Sequence, residues 1–249
     1  MSETPQDRAQ KVREMFSQIA PRYDLLNRIL SAGVDRRWRA AAVAAALERR
    51  PHRILDLATG TGDLALLLKQ QAPQAEVVGA DFAPPMLERA RSKAQKAGLS
   101  IPFMEADALA LPFPEASFEA ITIAFGFRNF ADYSGALREL YRVLVEGGRL
   151  VILEFPPPPR SSLGLLYRFY FTQVLPLIGG LISGKPSAYR YLPDSVERFP
   201  EPEVLDTMMR SAGFRTRHTL LTGGIVALHL GDKPTAEERL SVLRTGESA

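Results

Sequence analysis

The stretch RILDLATGTGDLALLLKQQ, residues 53–71, reads as a short apolar strand, a glycine-rich turn and a helix. Gly60 and Gly62 allow a sharp turn and leave no Cβ in the way of a ligand. The unit then recurs. AEVVGAD (75–81) is a second strand, leading to a helix opened by Pro84 and Pro85, which have no N–H to leave unpaired in a first turn. That helix ends near Gly98. IPFMEAD (101–107), FEAITIAF (118–125) and RLVILEF (149–155) complete a run of five strands. Between the last two lies an amphipathic helix with Leu137, Leu140, Tyr141 and Leu144 on one face, closed by Gly147-Gly148.

Strands alternating with helices at this spacing predict a doubly wound α/β fold, a mainly parallel sheet with helices on both faces. Past residue 200, the helix VLDTMMRSAG precedes two strands, FRTRHTLL (214–221) and GIVALHL (224–230). They lie close enough to form an antiparallel terminal hairpin and bring the sheet to seven strands. Upstream, residues 11–50 carry apolar positions at helical spacing, interrupted at Pro21, Ser31 and Gly33, and are expected to form an N-terminal helical cap. The reading is of one domain over residues 1–249: the cap, a cofactor-binding core over 53–155, an insertion or lid over 160–195, and a terminal helix and hairpin over 200–231. Residues 1–10 and 233–249 are polar and are expected to fray.

Composition narrows the function classes. The 249 residues are 46% hydrophobic and 24% charged, as in an ordinary globular protein. A net charge of +3 offers no strong basic patch, so no nucleic-acid partner is expected. The absence of cysteine excludes disulfides and thiolate chemistry, and three widely spaced histidines make no metal site expected. The polar start, MSETPQDRAQKVREMF, has no apolar signal region, so a cytoplasmic location is expected, with peripheral contact at the inner face of a membrane compatible with the basic balance.

Three successive strands end in an acid: Asp56, Asp81 and Asp107. In an open α/β sheet, ligands bind beyond the carboxyl ends of the strands. The turn partly satisfies a dinucleotide fingerprint, Gly60, Gly62 and Ala65 followed by Asp81 about twenty residues on, so an NAD-dependent oxidoreductase is a competing reading. Charge separates the two. A carboxylate at Asp56 would repel a pyrophosphate, whereas S-adenosylmethionine carries an ammonium and a sulfonium. Asp56 suits the ammonium, Asp81 the ribose diol, and Asp107 with the backbone at Ala108 the adenine edge. Thr61 is placed either to cap the following helix or to touch the ligand's carboxylate. The structural alternative is that the strand-end acids merely cap helices or sit in solvent.

LDLATGTGDLA, ADALALPFPEASFEAITIAFGFRNFAD and YRVLVEGGRLVILEF resemble the quinone-biosynthesis C-methyltransferases. The likeness extends to MFSQIAPRYDLLNRILSAGVDRRWR, AYRYLPDSVERFP and GIVALHLG, and so covers roughly residues 12–231. It implies methylation of demethylmenaquinol, or of the ubiquinol precursor, with cofactor contacts at Thr61, Asp81, Asp107 and Ala108. Two departures stand out: Ala124 where some members have Ser before FG, and Ala83 where Ser is usual.

Methylating a ring carbon needs an electron-rich hydroquinone, aligned behind the methyl group and losing a phenolic proton. In FGFRN (125–129), Arg128 is the candidate to stabilise a phenolate, with a surface or ion-paired arginine as the alternative, and Asn129 the candidate to orient a hydroxyl. Tyr23, in PRYDLLN, is a candidate to touch the substrate, with a packed Tyr23 and a helix-start cap by Asp24 as the alternative. Tyr189 and Tyr191 could wall the acceptor site. His229 lies in an apolar strand and reads as a hydrogen-bonded core residue rather than a base, while His52 and His218 read as surface residues. The stretch 163–182 is interrupted by Arg168, Gln173, Pro176 and Gly179-Gly180, too often for a membrane span. It reads as a lid or as a surface for a polyprenyl tail. A methyltransferase on another small aromatic or lipid acceptor, and a non-catalytic S-adenosylmethionine-binding module, are the further alternatives.

Overall fold

Apolar side chains alternate between two faces along β1 (Arg53–Leu57), β2 (Glu76–Asp81), β4 (Phe118–Ala124) and β5 (Leu144–Glu154). Such strands must be covered on both sides. In the computed structural model, which describes residues 5–20, 24, 28, 31, 33–158 and 193–245, they form the centre of one sheet. With β3 (Phe103–Glu105), β6 (Arg215–Leu221) and β7 (Val226–Asp232) the order is β3-β2-β1-β4-β5-β7-β6. The first five strands are parallel, and β7 runs antiparallel to both β5 and β6. The doubly wound sheet and the edge hairpin are as the sequence predicts.

Ile54, Val77, Ala120, Val151 and Leu153 face one way. They pack under α2 (Asp35–Leu47), α3 (Asp63–Gln71) and α4 (Pro84–Lys96), which contribute Val43, Leu68 and Leu87. Leu55, Val78, Ile121, Ile123 and Ile152 face the other way, against Leu137 and Leu140 of α5 (Tyr133–Val143) and Leu205 and Met209 of α6 (Pro202–Ser211). Each fully buried leucine contributes about 2 kcal/mol of hydrophobic stabilisation.

Three expectations need correction. The polar ends are helical in part: α1 spans Pro5–Ile19 and α7 spans Ala236–Thr245. The start of α7 is a reciprocal cap, with Glu238 accepting from the Thr235 N–H at 2.8 Å and Thr235 Oγ1 accepting from the Glu238 N–H at 3.3 Å. β5 begins at Leu144 rather than 149, because an irregularity in its pairing with β4 absorbs Gly147-Gly148 without breaking the ladder. His218 is half-buried rather than at the surface, its Nδ1 2.7 Å from Asp206.

Candidate active site

The strand order reverses between β1 and β4, and both strands end there in strained turns. Ala58 follows β1 with φ +53° and Phe125 follows β4 with φ +59°. A left-handed backbone at a bulky residue costs of order 1–3 kcal/mol and persists where packing imposes it. The two turns touch. A Cβ at Gly126 would lie 2.5 Å from the Ala58 Cβ, so only glycine permits this approach. Gly62, with φ +84°, occupies the N-cap of α3, where an added Cβ would press on Ala90 and Leu66.

Beyond these turns runs a groove of three adjoining cavities. The largest, about 280 Å³, lies over the ends of β2 and β3 and is lined by Asp81, Phe82, Asp107, Ala108 and Asn129, with Gln10 and Arg13 reaching in from α1. A middle cavity of about 40 Å³ is mainly apolar, bounded by Phe16, Phe82, Met86, Phe125 and Phe130. The third, about 30 Å³, is bounded by Arg39, Asp56, Gly60, Thr61, Asp63 and Ala124. Of the residues singled out in the sequence, Asp56, Gly60, Thr61, Asp81, Asp107, Ala108 and Asn129 therefore share one groove. Gly62 shapes it from behind.

The three acids have different environments. Asp56 is buried, and its two oxygens accept from Thr59 Oγ1 at 2.6 Å and Thr122 Oγ1 at 2.8 Å. Burial pushes its carboxyl up to about 6, against the lowering effect of those hydroxyls. Asp81 accepts from the Gly60 N–H at 2.8 Å and the Ala83 N–H at 2.9 Å. Burial pushes it, too, up to about 6. The bond to Ala83 serves the α4 start, where Ala83 has no capping side chain of its own. Asp107 is exposed and accepts from the Leu109 N–H at 2.9 Å. The capping alternative thus describes part of what Asp81 does and leaves Asp56 aside, while exposed Asp107 holds a tight turn that opens no helix.

Thr61 does not cap α3, whose N-cap is Gly62. Its hydroxyl donates to Asp24 and accepts from Lys93 at 3.2 Å, and Lys93 also pairs with Asp24 at 3.0 Å and with Asp63. Asp24 thereby ties the N-terminal segment to the glycine turn. Arg128 lines none of the three cavities. Its guanidinium is buried, 2.8 Å from Glu154, with further bonds to the Phe125 carbonyl at 2.5 Å and Ser195 Oγ at 3.3 Å. Of the readings weighed for it, this geometry is that of the ion-paired arginine, not a surface one. Tyr23, Tyr189, Tyr191 and the stretch 163–182 lie outside the described residues.

Several contributors escaped the sequence reading. Thr122 carried a signal, a hydroxyl inside an apolar strand, and its register partner is Asp56. Phe82 followed a noted acid, and its ring meets Phe16 of α1 edge-on at 6.5 Å. Arg39 left no signal beyond one charge among many.

Away from the groove, His229 is buried with Nδ1 2.8 Å from Asp206 Oδ1, as a hydrogen-bonded core histidine should be. Asp206, His218 and His229 place donor atoms within 4.8 Å of one another, close enough for a cation, though both carboxylate oxygens are engaged by imidazoles. Among the described residues, no helix is long and apolar enough to cross a membrane.

Comparison with known proteins agrees with this fold. The demethylmenaquinone methyltransferase of Thermus thermophilus is 69% identical over 220 residues, covering 88% of this chain and all of that protein. That of Deinococcus radiodurans is 61% identical over 228 residues, covering 92% of this chain and 95% of that protein. In fold, the chain is similar to a SAM-dependent methyltransferase of Thermotoga maritima described as a possible histamine N-methyltransferase. The TM-score is 0.59 at 20% identity, over 88% of this chain and 99% of that one. The profile of the ubiE/COQ5 methyltransferase family matches residues 4–233, and the chain belongs to that family.

Proposed function

We propose that the chain transfers a methyl group from S-adenosylmethionine to a ring carbon of demethylmenaquinol in menaquinone biosynthesis. The observation that carries the donor is Asp56: a buried carboxylate beside the glycine turn, where a dinucleotide would put its pyrophosphate and an amino-acid ammonium finds an acceptor. The names of the relatives carry the acceptor.

S-adenosylmethionine supplies a methyl group on a cationic sulfur. Asp81 is placed to accept from a ribose diol while its other bonds hold Gly60 and Ala83 in position. Asp107, Ala108 and the ring of Phe82 suit a purine in the largest cavity. Phe16, Met86 and Phe125 line the middle cavity and would exclude water there, where the sulfonium and phenolate charges that the transfer neutralises would otherwise be held by solvent. A ring carbon whose phenol has lost its proton would take the methyl group of the bound donor, which leaves as S-adenosylhomocysteine; the proton displaced from that carbon would then pass to the former phenolate oxygen, restoring the hydroquinone. Asn129 borders both the largest and the middle cavity and is placed to orient a hydroquinone hydroxyl. Tyr23 is assigned to the same substrate. Arg128 acts one residue away by holding the FGFRN turn on Glu154. A polyprenyl acceptor places the reaction at a membrane surface.

The test is transfer of labelled methyl to short-tailed demethylmenaquinol kept reduced with dithionite, beside the corresponding benzoquinol. Label in the naphthoquinol is the expected result. Donor binding without label in either quinol would remove the acceptor assignment.

A further inference from the structure

The small cavity at the end of the groove has one feature that the three strand-end acids do not account for. Arg39, from α2, is only 8% exposed and lines it together with Asp56, Thr61, Asp63 and Ala124. Among the described lining residues it is the one cation. Arg39 pairs with neither acid beside it: Asp56 accepts from the hydroxyls of Thr59 and Thr122, and Asp63 pairs with Lys93. Ala124 brings no polar side-chain atom, so the guanidinium is the strong donor on that wall.

The side chain is held for presentation. Nη1 pairs with Asp35 one turn earlier, and Asp35 is itself fixed by a bond from Ser31 Oγ at 2.8 Å. The guanidinium carbon sits 5.6 Å from the centre of the Phe125 ring, the residue whose strained backbone closes β4. Trp38 anchors the helix here, with Nε1 donating to Thr222 Oγ1 at 2.8 Å and its ring edge-on to Phe125 and Phe155. An arginine offers five N–H donors in a rigid fork that matches a carboxylate, and its pairing with Asp35 occupies part of that fork.

The geometry points to Arg39 as the residue that recognises the α-carboxylate of the methyl donor, in the same cavity as the Asp56 that takes its ammonium. This rests on the donor reading above and deepens it, assigning the two charges of the donor's amino-acid end to two residues of one cavity. The cavity's volume, about 30 Å³, suits a small charged group and no ring.

Calorimetric titration of the whole chain with S-adenosylmethionine and with its decarboxylated analogue separates the possibilities. The unaltered protein should prefer the carboxylate-bearing ligand by about 10- to 100-fold, the range of a charge-assisted bidentate contact. Arg39→Gln should abolish that preference while changing the affinity for the decarboxylated ligand less than threefold (roughly the scatter of a neutral contact). Arg39→Lys should restore part of it. If Arg39→Gln does not fold, Asp35→Asn, which loosens the guanidinium, should reduce the preference in the same direction. Equal weakening of both ligands, or no weakening of either, overturns the assignment and leaves the donor reading intact. An unaltered protein that binds neither nucleoside overturns both.

Discussion

Thr122 on β4 donates its hydroxyl to Asp56 Oδ1 on β1 at 2.8 Å, across a register in which the two residues are direct partners. The bond ties together the two strands at which the sheet order reverses. It also supplies one of two hydroxyl donors that oppose the effect of burial on Asp56. Thr122→Val keeps the shape and removes that donor, so the ionised form of Asp56 loses support. The expected result is donor affinity lower by about 10-fold at neutral pH, with the fold retained. Titration calorimetry checks it, and unchanged affinity would detach Asp56 from the ligand.

Asp56 and Asp81 both have carboxyls pushed up to about 6 by burial. Their folded values exceed the unfolded ones, so the stability they contribute is present at low pH and lost as pH rises through about 6. The unliganded protein should therefore gain thermal stability from these two groups as pH falls from 7.5 to 5.5. Donor affinity should move the opposite way, because both sites work ionised. Melting curves with and without S-adenosylmethionine across that range test the pair of signs together. Affinity that stays flat would mean neither acid takes part.

The fold was legible because its strands are apolar on both faces and are spaced by helices whose boundaries carry glycine and proline. Strand positions 54 to 57, 76 to 81 and 118 to 124 came through for that reason. The helix Pro5–Ile19 came through only from residue 11 on, where apolar positions recur at helical spacing, and Ala236–Thr245 did not, since little apolar periodicity marks it; only the Thr235–Glu238 cap spoke for it. In the site, the acids were legible because a charge at the end of an apolar strand needs a reason. Arg39 and Thr122 come into place through the packing of α2 on β4 and β5 and the pairing of β4 with β1, which spacing within one segment does not reveal. Arg128 shows the converse. Its motif was conspicuous, but its partner Glu154 lies a strand away, and an isolated FGFRN gives no hint of it.

That pair leads to a separate expectation. Arg128 and Glu154 have side chains 6% and 0% exposed and lie 2.8 Å apart. Arg128→Ala leaves the glutamate buried and unpaired, which costs roughly 3–5 kcal/mol. The double variant Arg128→Met with Glu154→Met should recover much of that, because both charges leave the interior together. Denaturant unfolding measures each. If Arg128→Ala retains full stability yet loses turnover, the arginine serves the chemistry directly rather than the turn.

Asp206 is the corresponding test away from the groove. Burial raises its carboxyl, but hydrogen bonds and charge from His229 and His218 outweigh that and hold it below the usual carboxylate range. Its folded value is thus depressed, so its contribution is present at neutral pH and lost as pH falls below the ordinary aspartate value. It joins α6 to both strands of the terminal hairpin, and no described residue of the cluster lines the groove. Asp206→Ala should leave the buried His229 Nδ1 unpaired and lower stability by about 1–3 kcal/mol. Donor affinity should be unchanged. Because imidazoles already engage both carboxylate oxygens, a chelator should leave the melting temperature of the unaltered protein where it was. A drop on chelation would instead make Asp206, His218 and His229 ligands of a cation, and the hairpin would owe its attachment to a metal rather than to hydrogen bonds.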